Sequence, residues 1–294
     1  MTAAVPETTY LLPTDGLPLT CSRAGTCCHG KAVWLNPWEL ACLATARGLT
    51  SRVFRDRYGE FGGIRLRFNN PPGWKGFAAC SQYLPQSGCS VHAGRPLACR
   101  LFPLGRQRRG DELRYMHRGP VFPCLEGCPE VAELPHLAVA DYLAGQEVTN
   151  GEAAQDAYVE MMQQLADGAF ALLLESGLAA TGDRLTLPLW RKLGKADPDH
   201  LAERLGAAGW IDRLMLPDIN DGLDDPAAFS QRHSDLLQAQ AQEAFGCLSD
   251  AAALREASGL MMGLALRLGR GLGINPAELA KNWIATAKHH GARE

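Results

Sequence analysis

Nine of the ten cysteines in this 294-residue chain fall between Cys21 and Cys128, and only Cys247 lies outside. With Cys42 set aside, the other eight form groups: Cys21-x5-Cys27-Cys28, Cys80-x8-Cys89, Cys99, and Cys124-x3-Cys128. Grouped thiolates on loops bring several soft donors to one point with little backbone distortion, which is what a bound metal needs. The adjacent side chains of Cys27 and Cys28 diverge and rarely close a disulfide. They suit two irons of one cluster, or one ligand and its neighbour. The opening MTAAVPETTY has neither a basic nor an apolar leader region, so no secretory signal is expected. Apolar runs such as Ala169–Leu174 are far too short to span a membrane. The expected compartment is therefore cytoplasmic, where thiols stay reduced and dense cysteines read as metal ligands or redox groups.

The surroundings of the cysteines fit that reading. Gly25, Gly88, Gly94, Pro96, Pro103 and Pro123 would bend and stiffen the ligand loops. Arg95, Arg100 and His92 flank Cys89 and Cys99, and nearby positive charge favours thiolate over thiol. Arg95 and Arg100 are assigned to stabilising the thiolates from outside the ligand set. Cys42, beside Leu40 and Leu43, and the isolated Cys247 read instead as small buried apolar residues.

Charge and texture divide the chain. Residues 1–130 carry 16 basic and 9 acidic side chains, whereas residues 131–294 carry 13 and 23, so two units with different surfaces are expected. The expected layout is an N-terminal arm over 1–20, a cysteine-cluster metal-binding domain over 21–135 and an α-helical domain over 136–294. The fold class is mainly α, with a small, loop-rich cysteine-cluster domain holding a few short strands, followed by helices. Asn36-Pro37-Trp38-Glu39 predicts a helix start running to about Arg47 and stopping at Gly48. Gly63–Phe68 and Leu113–Arg118 alternate as short strands do. Gly94-Arg95-Pro96 opens a single helical turn that Pro103 closes. Later helices are expected over Gly151–Leu174, Asp197–Gly209, Asp225–Cys247, Ser249–Leu272 and Asn275–His290, three of them announced by a cap followed by proline.

The segment Cys21–Pro103 resembles the YkgJ-like cysteine-cluster family, a zinc- or iron-chelating domain. Cys21, Cys27-Cys28 and Cys80 match its opening, and Cys89, His92, Arg95, Pro96, Cys99, Arg100, Phe102 and Pro103 fill its second half. The commoner opening is CxxCxxCC, whereas Ser22–Thr26 here contain no cysteine. Cys124-x3-Cys128-Pro129 is similar to a later feature of some members and could replace the missing donor. The resemblance implies metal binding by some four to six of Cys21, Cys27, Cys28, Cys80, Cys89, Cys99, Cys124 and Cys128. The family accepts Tyr or His at the position of His92, which argues against His92 as an obligatory ligand, although Cys89-x2-His92 would suit zinc. A more distant similarity is to the cysteine module of flagellin lysine-N-methylases, which implies iron–sulfur-dependent group transfer.

The remaining features are plainer. Arg106, Arg108, Arg109, Arg114 and Arg118 read as a solvated basic face beside a thiolate cluster ahead of a nucleic-acid surface. Gly269-x-Gly271-x-Gly273 reads as a helix C-cap, Asp218–Gly222 as a turn, and Met161-Met162 and Met261-Met262 as core. His289-His290 is expected to complete a helix end in solvent. No catalytic residue and no site for an organic cofactor is assigned. The cofactor expected is an iron–sulfur cluster of the [4Fe–4S] type ahead of zinc. Three functions follow: redox or group-transfer chemistry on a protein substrate, metal delivery, or a structural-zinc module that binds a protein partner.

Overall fold

Asn36 caps a helix from both sides. Its side-chain oxygen accepts from the Glu39 N–H at 2.9 Å, and the Glu39 carboxylate accepts from the Asn36 N–H at 3.0 Å. With Pro37 in the first turn this is a complete capping box. The structure, a computed structural model, describes residues 8–17, 25–110, 112–118, 136–219 and 221–294. Cys21, Cys124 and Cys128 lie outside the described residues.

The strands are β1 (Thr8–Leu11), β2 (Gly16–Leu17), β3 (Gly59–Glu60), β4 (Arg65–Leu66), β5 (Tyr83–Leu84), β6 (Gly88–Cys89), β7 (Gly105–Arg109), β8 (Glu112–Arg118) and β9 (Leu137–Ala138). The early helices are α1 (Pro37–Ala46), α2 (Ser51–Tyr58), α3 (Leu97–Leu101), α4 (Val139–Gly145) and α5 (Thr149–Phe170). Then come α6 (Thr186–Gly194), α7 (Pro198–Ala207), α8 (Trp210–Met215), α9 (Pro226–Phe245), α10 (Ala251–Gly271) and α11 (Pro276–His289). The fold is mainly α, with its short strands concentrated in the N-terminal region, as expected.

Two compact units divide the chain. One comprises Met1–Val33 and Leu66–Glu152, the other Trp34–Arg65 and Ala153–Glu294. This division interleaves where a linear order was expected. Residues 34–65 pack with the helices, and residues 136–152 pack with the cysteines. The reason is apolar surface. Leu17, Leu97, Leu101, Leu104, Tyr115, Val139, Tyr142, Leu143 and Val148 form one buried cluster of the first unit, so α4 is needed to close it. Its strands are β1-β8-β7, with Thr8 opposite Arg118 and Gly105 opposite Met116, and the pairs β2-β9 and β5-β6. Residues 8–11 of the expected arm are thus an edge strand.

The second unit is helical. α10 is buried along most of its length, from Leu254 through Leu268, and packs on α6, α7 and α11. It ends in a Schellman cap: Ile274 N–H donates to Gly269 O at 2.8 Å and Gly273 N–H to Arg270 O at 3.0 Å, with Gly273 at φ +78°. Met161, Met162, Met261 and Met262 are all core, and His289 and His290 are exposed at a helix end. Residues 34–65 leave and return side by side. Leu66 N–H donates to Val33 O at 2.9 Å, and Leu35 N–H to Ile64 O at 2.8 Å. Between them, Phe61, Gly62 and Gly63 have φ of +52°, +64° and +96°, and the buried Arg267 donates to Phe61 O. Such a turn demands glycine at most positions.

Two cysteines depart from the expected buried apolar role. Cys247 is exposed, because it follows the end of α9, and Cys42 on α1 is only partly covered. The Gly63–Phe68 strand shrinks to Arg65–Leu66, since the positive-φ turn consumes its start. Among the described residues no helix is long and apolar enough to cross a membrane.

Candidate metal centre

Cys27 and Cys28 sit on a 3-10 turn, Thr26–Cys28, entered through Gly25 at φ +80°. Gly25 has the ring of Tyr83 against the place a Cβ would occupy, so glycine serves both the turn and the close approach. The turn closes with Cys28 N–H donating to Gly25 O at 2.8 Å. It brings the Cys27 and Cys28 sulfurs 4.0 Å apart. Two thiolates on one tetrahedral ion at about 2.3 Å each would stand about 3.8 Å apart.

Backbone hydrogen bonds fasten the second group to the first. Cys80 N–H donates to Cys28 O at 2.7 Å. Asn70 Nδ2 donates to Cys80 O at 2.9 Å and to Tyr83 O at 3.1 Å, holding the loop that carries Cys80. Cys89 lies on β6 opposite Tyr83 of β5, and Gln82 N–H points at the Cys80 sulfur at 3.5 Å. Cys99 lies in α3, whose Leu97 and Leu101 are buried. The same unit anchors α3's end through Tyr142, whose hydroxyl donates to Phe102 O at 2.5 Å.

These placements put five thiols in one electrostatic neighbourhood. Cys28 feels Cys27, Cys99 and Cys80; Cys80 feels Cys89 and Cys27; Cys99 feels Cys27, Cys80 and Cys89. Cys27 is the acidic member. The hydrogen bond from Cys28 favours its thiolate, and Lys31 and Arg95 add to that against the opposing effect of burial. Cys28 is driven the other way by the same bond, by burial and by its neighbours. Burial pushes Cys80 up to about 11 and Cys99 up to about 12. A metal would therefore meet one ready thiolate and displace protons from the others.

Soft sulfur donors on turns fit a thiophilic metal in kind. Among the described residues no three His, Cys, Asp or Glu side chains yet close on a single point, so binding requires the side chains to draw inward. Cys27, Cys28, Cys89 and Cys99 are only partly covered, while Cys80 is buried.

Of the flanking residues, Arg95 acts on Cys27 as expected and is held by His92 O at 3.2 Å and Gln146 Oε1 at 3.1 Å. Arg100 instead gathers carbonyls, those of Arg95 at 2.9 Å, Ala93 at 2.5 Å and Gln146 at 2.9 Å. Its fork braces the α3 segment. Lys31 was not legible in the sequence as part of the site. In the basic ribbon, Arg106 meets Glu152 at 3.3 Å and Arg114 meets Glu112 at 2.5 Å. A separate cavity of about 520 Å³ in the helical unit is lined by Met161, Leu165, Leu237, Phe245 and Met261. Its polar groups Gln164, Ser234 and Gln238 bond to one another.

Residues 20–117, about a third of the chain, match the CxxCxxCC family, described as a "Putative zinc- or iron-chelating domain". The match covers the segment whose motifs carried the resemblance. No curated protein and no solved structure matches the chain.

Proposed function

We propose, on the premise that residues 20–117 are a zinc- or iron-chelating module, that this protein holds a thiolate-bound metal ion at an exchange-accessible site. The fastening of the Cys80–Cys89 loop to the Cys27-Cys28 turn, through Cys80 N–H donating to Cys28 O at 2.7 Å, carries the reading. Cys21, Cys124 and Cys128 are the candidates for any donor position that those thiols leave unfilled. The 4.0 Å separation of Cys27 and Cys28 favours a single tetrahedral ion, zinc first. Partial exposure of the residues Cys27, Cys28 and Cys89 supports release to an acceptor, which suits metal delivery better than a sealed structural site. An iron–sulfur cluster is the second reading, favoured by a donor set made only of cysteines.

Anaerobic purification with metal analysis and visible spectroscopy tests both. Stoichiometric zinc in a colourless protein, surrendered to a chelator without unfolding, is the expected result. Broad absorbance near ~400 nm with iron and sulfide would establish the cluster instead. Absence of any tightly held metal would overturn the proposal. Cys27→Ser and Cys99→Ser should each weaken binding by about tenfold or more, while Cys42→Ser and Cys247→Ser leave it unchanged.

A further inference from the structure

A divalent ion on four thiolates leaves two surplus negative charges, and a partly buried site cannot hold them without compensation. Among the described residues, Lys31 is a cation whose position is built by both cysteine segments. It follows the Cys27-Cys28 turn by three residues, through Gly30 at φ +64°. Its ammonium stands 2.8 Å from the ring centroid of Phe102, the residue that caps α3 beyond Cys99. The aromatic face holds a cation by its quadrupole, so Phe102 fixes the charge where a flexible lysine would otherwise disperse it.

We propose that Lys31, clamped on Phe102, is a positioning residue of the metal centre: its ammonium neutralises the thiolates and tunes the affinity of the site. The inference rests on the chelating function above and names a residue that the ligand motif does not contain. The charge alone is at issue, because the stem of lysine is matched closely by methionine.

Zinc titration of the full chain against a chromophoric chelator tests this, using Lys31→Met, Lys31→Arg and, as an equal change of charge elsewhere in the same unit, Lys75→Met. Lys31→Met should weaken zinc binding about tenfold, Lys31→Arg should restore it to within about threefold, and Lys75→Met should leave it unchanged. Adding salt should weaken wild-type binding more than that of Lys31→Met. Wild-type affinity in Lys31→Met overturns the inference. So does an equal loss in Lys31→Arg, which would mark the stem as mere packing, or an equal loss in Lys75→Met, which would mark net charge alone. Failure of the wild-type chain to bind zinc overturns the chelating function and this inference together, and so is distinct from a failure confined to the variants.

Discussion

His233, fully buried in the helical unit, faces the Tyr158 hydroxyl through Nδ1 at 3.1 Å and the Arg213 carbonyl through Nε2 at 3.1 Å. The carbonyl can only accept, so Nε2 carries the proton and Nδ1 accepts from the tyrosine. Burial lowers the imidazole from 6.5 to about 4, against a smaller opposing effect of the Arg213 bond. The folded value is below the unfolded one. The stability linked to this residue is therefore intact above pH 6.5 and is lost as pH falls towards about 4. The loss should reach roughly 3 kcal/mol at the bottom of that window. Thermal melts between pH 7 and 4 should show an acid limb that His233→Gln flattens, after allowance for the variant's lower starting stability. An unchanged limb would place the acid sensitivity elsewhere. Tyr158 shares the same enclosure and is held well above its ordinary value, mainly by burial. This pair is a structural polar knot in the core of the second unit.

Local signals made elements readable in proportion to how local their causes are. Asn36, Asp197, Asp225 and Asn275 each precede a proline and each accepts a backbone N–H at the start of its helix. Asn36→Ala removes one half of the capping box and strands the other, and should cost about 1–2 kcal/mol. A denaturant titration would read this as a lower midpoint at unchanged slope; no shift would mean that tertiary packing alone holds the start of α1. By contrast, α6 lacks that signature. Its helper is Asp183, whose carboxylate accepts from Thr186 N–H at 3.0 Å from outside the helix. β1 carries no local signal, because its partner, β8, is remote in sequence. Pairing across such a distance leaves no mark on the strand itself. The same rule governs the site. The cysteine groups were visible from spacing, since several ligands must cluster whatever the fold. Lys31 was not, because nothing in Gly30-Lys31-Ala32 shows that Phe102 will lie beneath it. The partial exposure of Cys42 leaves no trace in the sequence for a similar reason: its neighbours Leu40 and Leu43 are buried, but one helical face does not decide its edge.

At the scale of the whole chain, the excursion of residues 34–65 is the departure that matters. Leu35, Leu40, Leu43 and Phe54 are completely buried, and their unit includes α8, α9 and α10. A chain ending after Glu152 would keep every grouped cysteine and lose the cover over those side chains. It should be poorly soluble or bind a hydrophobic dye strongly. Because Val33 O accepts from Leu66 N–H at 2.9 Å, the two ends can be joined directly. Replacing 34–65 by a short glycine-rich turn within residues 1–152 should restore solubility and metal uptake. If the uninterrupted 1–152 fragment behaves just as well, residues 34–65 do not depend on the helical unit. The interleaving also has a temporal side. A ribosome adding roughly 5–20 residues per second delivers α1 and α2 long before α10, so their greasy faces wait on the order of ten seconds or more for a partner. The nascent polypeptide is a natural client for a holding chaperone during that interval, when every residue of the cysteine-bearing unit is already made and the faces of α1 and α2 are still uncovered.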